Sequence, residues 1–388
     1  MENFVFQNTT KIIFGRDTQK EVGRIVKRYT NKVLLHYGGG SIKKYGLYNE
    51  ITGSLKKEDI KVFELGGVKT NPRLGLVKEG SKICGDNSIN LILAVGGGSV
   101  IDSAKAIALS ALYRGDSMWD FIKGTSKPSK TIPVGVILTI PGAGSESSNV
   151  TVITNEEGMI KKGYHSNLIR PEFAILNPEL SFTLPLYQVA CGSADIIAHV
   201  AERYFTKTKY VDLTDRLCEA TLKTIIENAP LAIKNPKDYN PRAELMWGST
   251  IAHNDILSTG RIGDWGSHKI AHELSSLYDV VHGASLAIIF PAWMKYVYKR
   301  DLDRFYQFAI RVFDIDPCFG SKESIALKGI EKLQEFFKSL GLPVTLKDLD
   351  ISDDKFDKMA DKTMLFGSIG NYTELQREDV VNIYKLAG

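Results

Sequence analysis

Three of the seven histidines fall within the stretch from His268 to His282, and their company points to metal chemistry. Upstream, Asp195 and His199 are four residues apart, so on a helix the carboxylate and the imidazole share one face. Asp264-Trp-Gly-Ser-His268-Lys-Ile-Ala-His272 repeats the spacing with two imidazoles, and His282 precedes Gly283 after a break that can fold it back. Each pair alone is more commonly a hydrogen-bonded or core pair. Together they supply five nitrogen and oxygen donors without a thiolate, which suits zinc or ferrous iron and not copper(I). Four of the five can form the shell of one divalent metal, leaving the fifth for proton transfer; spacing does not say which is left over. His36, His165 and His253 stand in ordinary strand or helix contexts and read as structural.

A second group of residues suits a nucleotide. The apolar run Leu91–Val95 leads into Gly96-Gly97-Gly98-Ser99-Val-Ile-Asp102 and a helical pattern. Glycines there let the backbone approach a ligand, and the helix start offers unpaired N–H groups that fit a pyrophosphate. The spacing is not the G-x-G-x-x-G fingerprint. Gly38-Gly39-Gly40-Ser41 follows another apolar run and precedes Lys43 and Lys44, with no acidic residue between His36 and Lys44. NAD-selective loops carry an acid for the ribose, whereas small residues beside cations accept a 2′-phosphate, so NADP(H) is expected. A third small-residue segment, Thr139-Ile-Pro-Gly-Ala-Gly-Ser145-Glu146-Ser-Ser148-Asn149, follows a further strand-like run. Three such loops at strand ends are what a dinucleotide crevice requires.

The elements that must position these residues change character along the chain. Short β-branched runs at Lys32–Tyr37, Lys61–Leu65, Leu91–Val95, Ile132–Thr139 and Phe173–Leu176 alternate with helical segments such as Asp17–Arg28 and Ser99–Tyr113. That alternation predicts a Rossmann-like α/β domain with a mostly parallel sheet. Asn149–Thr154 and Met159–Tyr164 add a hairpin. Beyond about Leu184 the segments Tyr187–Phe205, Asp212–Asn228, Arg242–Ser258, His268–Leu277, Ala284–Val297 and Lys322–Leu340 are helical, and strand-like runs almost vanish. The expected division is residues 1–182, an α/β dinucleotide-binding domain, and residues 183–388, an all-helical domain carrying the metal donors.

Composition agrees. A chain of 388 residues with 43% hydrophobic and 24% charged residues is long enough for two or three globular domains. A net charge of +4 without a long basic run argues against nucleic acid as a partner. The four cysteines form no C-x-x-C pair, no export signal opens the sequence, and no run approaches 18 apolar residues. A cytoplasmic, non-membrane protein is the expectation.

With these motifs in order, the chain resembles the iron-containing (group III) alcohol dehydrogenases, most closely their NADPH-dependent butanol dehydrogenase branch. The likeness runs through Phe14-Gly15, Tyr37-Gly-Gly-Gly-Ser-Ile-Lys-Lys44, Asn71-Pro72, Gly96-Gly-Gly-Ser-Val-Ile-Asp102, Gly144-Ser-Glu146, Phe173-Ala-Ile-Leu-Asn-Pro178, Asp195-x-x-x-His199, Gly263-Asp-Trp265, His268-x-x-x-His272-Glu-Leu274 and His282-Gly283. It implies an enzyme that interconverts aldehydes and primary alcohols of the butanal and butanol kind. It further implies that Asp195, His199, His268 and His282 ligate one divalent metal, Fe2+ before Zn2+, and that His272 is the spare histidine beside the nicotinamide. Gly38, Gly39, Gly40 and Ser41 would surround the 2′-phosphate, Asn71 lie near the adenosine, Gly97, Gly98 and Ser99 hold the pyrophosphate, and Asp102 sit toward the nicotinamide. Thr139 and Lys161 match cofactor-lining positions. Where the family usually places an Asn two positions after the Glu of that motif, this chain has Ser148 followed by Asn149, either of which could take the role. A homodimer is implied as well. The rival readings are a dehydroquinate-synthase-like or glycerol-dehydrogenase-like enzyme of the same architecture, and a nucleotide-binding protein with a structural metal.

Overall fold

The computed structural model describes residues 1–388, apart from the side chain of Phe319. The chain divides into two compact units, residues 8–184 and residues 185–388 together with 1–7. The first seven residues thus belong with the helical unit and not with the sheet, a departure from the 1–182 expectation.

The first unit is built on a six-stranded parallel sheet. Its strands are β1 (Lys11–Phe14), β2 (Lys32–Tyr37), β3 (Lys61–Leu65), β4 (Leu91–Gly97), β5 (Val134–Ile140) and β8 (Phe173–Leu176), in the spatial order β1-β8-β5-β4-β2-β3. All pairings in it are parallel. β4 is buried along its whole length, which is why it reads as an uninterrupted apolar run. One face packs Val33, Leu35, Leu93, Val95, Ile137 and Ile175 into a common core with Ile51 and Leu55 of the Leu47–Lys57 helix. β6 (Val150–Asn155) and β7 (Ile160–His165) pair antiparallel as a separate hairpin. β1, which the sequence did not reveal, has four residues and sits at the sheet edge, too short to show alternation.

The chain goes outward from β2 to β3 and then returns to the other side of β2 for β4, so strand order reverses between β2 and β4. Loops diverge at such a switch point and leave a crevice at the carboxyl ends of the strands. Because β5, β4 and β2 are neighbours and parallel, the three glycine-containing loops follow adjacent strands at one edge.

The second unit is helical. It contains the expected helices as Leu186–Tyr204, Asp212–Lys234, Tyr239–His253, Gly266–Tyr278, His282–Val297 and Lys322–Ser339, and adds Leu302–Val312, Phe356–Thr363 and Arg377–Leu386. The Asp212 helix continues through Pro230 instead of ending before it. Its core is aromatic: Phe205 stacks on Phe305 at 4.6 Å between centroids and touches Phe290, Trp293 and Phe308. Among the described residues no helix is long and apolar enough to cross a membrane.

A buried cation fastens the third loop. Lys105, on the Gly98–Ser110 helix, is fully buried, and its Nζ donates to the Ser145 and Ser148 carbonyls, to both of their hydroxyls and to the Val150 carbonyl at 2.6–3.1 Å. Such bonds are strong because the donor is charged and dry. Lys105→Met is expected to destabilise the protein by about 3 kcal/mol, since it leaves buried oxygens without their donor. A guanidinium unfolding midpoint unchanged from wild type would show that the loop holds itself.

Candidate active site

Three helices of the second unit gather the histidines. Asp195 and His199 lie one turn apart on the Leu186–Tyr204 helix, with His199 Nε2 3.5 Å from Asp195 Oδ1. The His282–Val297 helix starts hard against it: a Cβ placed on Gly283 would sit 1.9 Å from the Cys191 carbonyl oxygen, so only glycine permits the contact. That approach brings His282 Nε2 to 3.8 Å from Asp195 Oδ1. The Gly266–Tyr278 helix supplies His268, whose ring centroid is 4.6 Å from that of His199 and 5.4 Å from that of His282. One donor atom from each of Asp195, His268 and His282 lies within 4.8 Å of the other two. His272, one turn further along, has its ring 5.4 Å from that of His282.

Behind His268 stands a residue the sequence reading passed over. Glu202 is fully buried and accepts from His268 Nδ1 at 2.8 Å, the His268 backbone N–H at 3.1 Å, Ser267 Oγ at 2.7 Å and the Trp265 backbone N–H at 2.6 Å. Burial alone would raise its pKa, yet the bonds from His268 and Ser267 hold the carboxyl below the usual carboxylate range. Asp195, His199 and Glu202 form an i, i+4, i+7 stripe, and that spacing is the signal that was available. Trp265 holds a left-handed backbone at φ 65°, unusual for so large a residue. The turn is pinned by Asp264, which accepts from the Gly266 and Tyr372 backbone N–H groups at 2.9 and 2.7 Å. Burial and the Glu202 charge push its carboxyl up to about 7.

His253, read as structural, is hydrogen-bonded to Arg203 at 2.8 Å but also lies with its ring 4.5 Å from His199. His36 is structural, its two ring nitrogens meeting the Leu65 carbonyl at 2.8 Å and Ser103 Oγ at 2.9 Å, and burial lowers its pKa to about 4. His165 is exposed on β7.

The donor set fits a divalent metal. His268 Nε2 and His199 Nδ1 are buried without a hydrogen-bond partner, a costly condition for a polar atom that nothing else satisfies. Burial holds His199 well below the ordinary imidazole range, so it stays in the neutral form that ligates. Cys191, one turn before Asp195, is pushed by burial up to about 12 and stays a thiol, which leaves the donors as nitrogen and oxygen.

In the first unit the expected nucleotide residues fall in the three loops and beside them. Gly38, Gly39 and Gly40 follow β2, and Ser41 opens the short helix Ser41–Lys44. A Cβ on Gly39 would meet nothing within 4 Å. Lys43 lies 3.5 Å from Glu64, with Nζ 5.0 and 4.6 Å from the ring centroids of Tyr37 and Tyr48. Gly97 ends β4 where a Cβ would come 2.8 Å from Ile140, and Gly98 and Ser99 start the following helix. Asp102, a turn later, is partly buried and accepts from Ser145 Oγ and the Val152 backbone N–H, and its carboxyl is raised by burial against the pull of Lys105. Thr139 lies on β5, the strand that leads into the third loop. Asn71 accepts from Lys161 Nζ at 2.8 Å, both side chains buried. Asn149 donates to Asn167 at 2.7 Å, while Ser148 is turned to Lys105.

Comparison with known proteins places these features in context. Residues 9–178 match a family described as iron-containing alcohol dehydrogenase, and residues 189–388 match the C-terminal part of the Fe-containing alcohol dehydrogenase family. The chain is 43% identical over 385 residues, 99% of each protein, to a probable NADH-dependent butanol dehydrogenase 1 of Bacillus subtilis. It is 36% identical over 353 residues to the NADPH-dependent aldehyde reductase YqhD of Escherichia coli, covering 90% of this chain and 89% of the other. A solved structure described as NADH-dependent butanol dehydrogenase A from Thermotoga maritima superposes with a TM-score of 0.96 at 43% identity, over 100% of this chain and 99% of that one.

The helix contact at Gly283 is directly testable. Gly283→Ala must separate the two helices, costing roughly 1–3 kcal/mol through overpacking and drawing His282 away from Asp195. The purified variant is expected to retain less metal per chain than wild type, measured by elemental analysis; equal content with equal stability would mean that the helices yield without cost.

Proposed function

Because the chain belongs to the iron-containing alcohol dehydrogenase family, and so is an alcohol/aldehyde oxidoreductase, we propose that it interconverts butanal-like aldehydes and the corresponding primary alcohols with NADP(H) and one divalent metal, Fe2+ before Zn2+. The observation that carries the reading is the convergence of Asp195, His268 and His282, donors from three separate helices, within 4.8 Å. With His199 beside them, these four residues would hold the cation. When bound, the cation supplies Lewis-acid stabilisation of negative charge on the carbonyl oxygen, and the reduced nicotinamide supplies the hydride.

The chain's own residues do the rest. The bare backbone from Gly96 to Gly98 and the N–H groups opening the next helix receive the pyrophosphate. Gly38 to Ser41 leave room for the 2′-phosphate, Asn71 lies toward the adenosine with Lys161 bonded to it, Asp102 lies toward the nicotinamide, and Thr139 lines the cofactor. Between Ser148 and Asn149, the reading keeps Asn149 as the cofactor contact, since Ser148 serves Lys105. His272, its ring close to that of His282 and left over once Asp195, His199, His268 and His282 are taken as the ligands, holds and moves the proton at an imidazole nitrogen.

A second reading, NADH, has its own support. Lys43 is engaged by Glu64 and two tyrosine rings, which leaves it less available to a phosphate, and relatives near 40% identity are named as NADH-dependent. Gly39→Asp discriminates cleanly because the site is open. If NADP(H) is the cofactor, the added charge repels the 2′-phosphate, and the ratio of kcat/KM for NADPH over NADH falls by about tenfold or more; an unchanged ratio excludes this loop as the reader.

We also propose that the protein works as a homodimer in the cytoplasm, without nucleic acid or membrane partners. Phe14 on edge strand β1 and, in the N-terminal segment, Phe4, Val5 and Phe6 are exposed apolar residues, and a monomer by light scattering would refute the pairing.

The activity itself is tested by NADPH and NADH oxidation with straight-chain aldehydes after reconstitution with iron or zinc. Stoichiometric cofactor consumption is expected; none across the series would favour the lyase-like or nucleotide-binding alternatives. His268→Ala is expected to lose metal and activity together, whereas His272→Ala should retain the metal and lower kcat. Metal analysis with the reverse pattern would exchange the two roles.

A further inference from the structure

Glu202 makes contacts that a helix cap does not need. Three of its four bonds, to the Trp265 and His268 backbone N–H groups and to Ser267 Oγ, satisfy the start of the Gly266–Tyr278 helix, and a neutral serine or asparagine can do as much. The fourth goes to His268 Nδ1 at 2.8 Å. A fully buried carboxylate is expensive unless positive charge answers it; the neighbouring Arg203 charge acts on it, but none of its hydrogen-bond donors is a lysine or arginine. The nearby donor set, if it holds a dication, provides that charge.

We propose that Glu202 is the positioning residue of the metal centre: its carboxylate holds His268 with the proton on Nδ1, keeps Nε2 as the lone-pair nitrogen, and adds negative charge behind the ligands. This rests on the reading that Asp195, His199, His268 and His282 hold the cation. The geometry supports each part. His268 Nε2 is buried without a partner in the protein, the state expected of a ligating nitrogen whose other nitrogen is tied down. His268 is also fixed by its own backbone N–H to the same carboxylate oxygen, so ring and main chain are oriented together. The left-handed backbone of Trp265 is held by Glu202 from the other oxygen, which makes the strained turn and the ring orientation a single device.

Cobalt(II) serves as the probe, because its visible d–d absorption reports coordination geometry apart from turnover. Dissociation constants come from chelator competition on the full chain. Glu202→Gln preserves size and an acceptor but removes the charge, and is expected to weaken Co2+ binding by 10–100-fold and to alter the absorption; Glu202→Asp, which restores the charge, should recover much of the affinity. A purely structural cap would lower the unfolding temperature of the metal-free protein and leave Co2+ affinity and spectrum alone. Glu202→Gln with affinity within about threefold of wild type and an unchanged spectrum overturns the proposal. If the wild type and His268→Ala bind Co2+ alike, the ligand assignment fails, and this inference with it. Should Glu202→Gln not fold, nitrogen-15 spectra of histidine-labelled, metal-free wild type decide: a proton on His268 Nδ1 supports the assignment, and one on Nε2 refutes it.

Discussion

A charged group taken out of water must be given partners, and in the helical unit that demand organises everything around Glu202. Its carboxylate has no solvent, so the chain turns sharply at Asp264-Trp265-Gly266 to bring backbone N–H groups, a hydroxyl and an imidazole onto it. Trp265 accepts an unfavourable backbone conformation as a consequence. The helix that begins there carries His268 and His272 in a fixed rotation. Asp264, accepting from the Gly266 and Tyr372 backbone N–H groups, pins the same turn from the other side.

The second constraint is steric. The His282 helix reaches Asp195 only because Gly283 lets it touch the Cys191 main chain. Close packing of this kind is unforgiving in a protein interior, where a single carbon displaces its neighbours. Electrostatics orients one helix and packing places the other, and between them the Asp195 carboxylate and the imidazoles of His268 and His282 come together, with the His199 ring beside them.

In the sheet unit the same two principles recur. β4 is central and buried, and the chain reverses direction across the sheet between β2 and β4. The open edge at that point is lined by residues too small to block it. Lys105, dry and surrounded by serine and backbone oxygens, closes the neighbouring loop from within and performs the service for Ser145 to Val150 that Glu202 performs for Trp265 to His268.

Much of this was legible from residues and spacing. The parallel α/β unit followed from short apolar runs alternating with helical pattern, and the helical unit from the disappearance of such runs, because burial on both faces of a sheet and on one face of a helix leaves different periods. The five candidate donors Asp195, His199, His268, His272 and His282 stood out by type, though spacing did not say which one is left over. Other features escaped for physical reasons. β1 is too short to carry a period, and the N-terminal segment's allegiance to the helical unit depends on contacts with residues far along the chain, such as the Glu2 backbone N–H bonded to the Gly260 carbonyl. Lys105 and Glu202 looked like ordinary charged residues in amphipathic helices.

What separates the two classes is range. Composition, periodicity and i, i+4 spacing are local, and they were enough to settle the class of each unit and the identity of candidate ligands. Which histidines converge, which carboxylate stands behind them, and which loops become neighbours depend on strand order and on helix packing between residues distant in the chain. Those follow from burial and excluded volume acting on the whole fold, and no short window of residues encodes them.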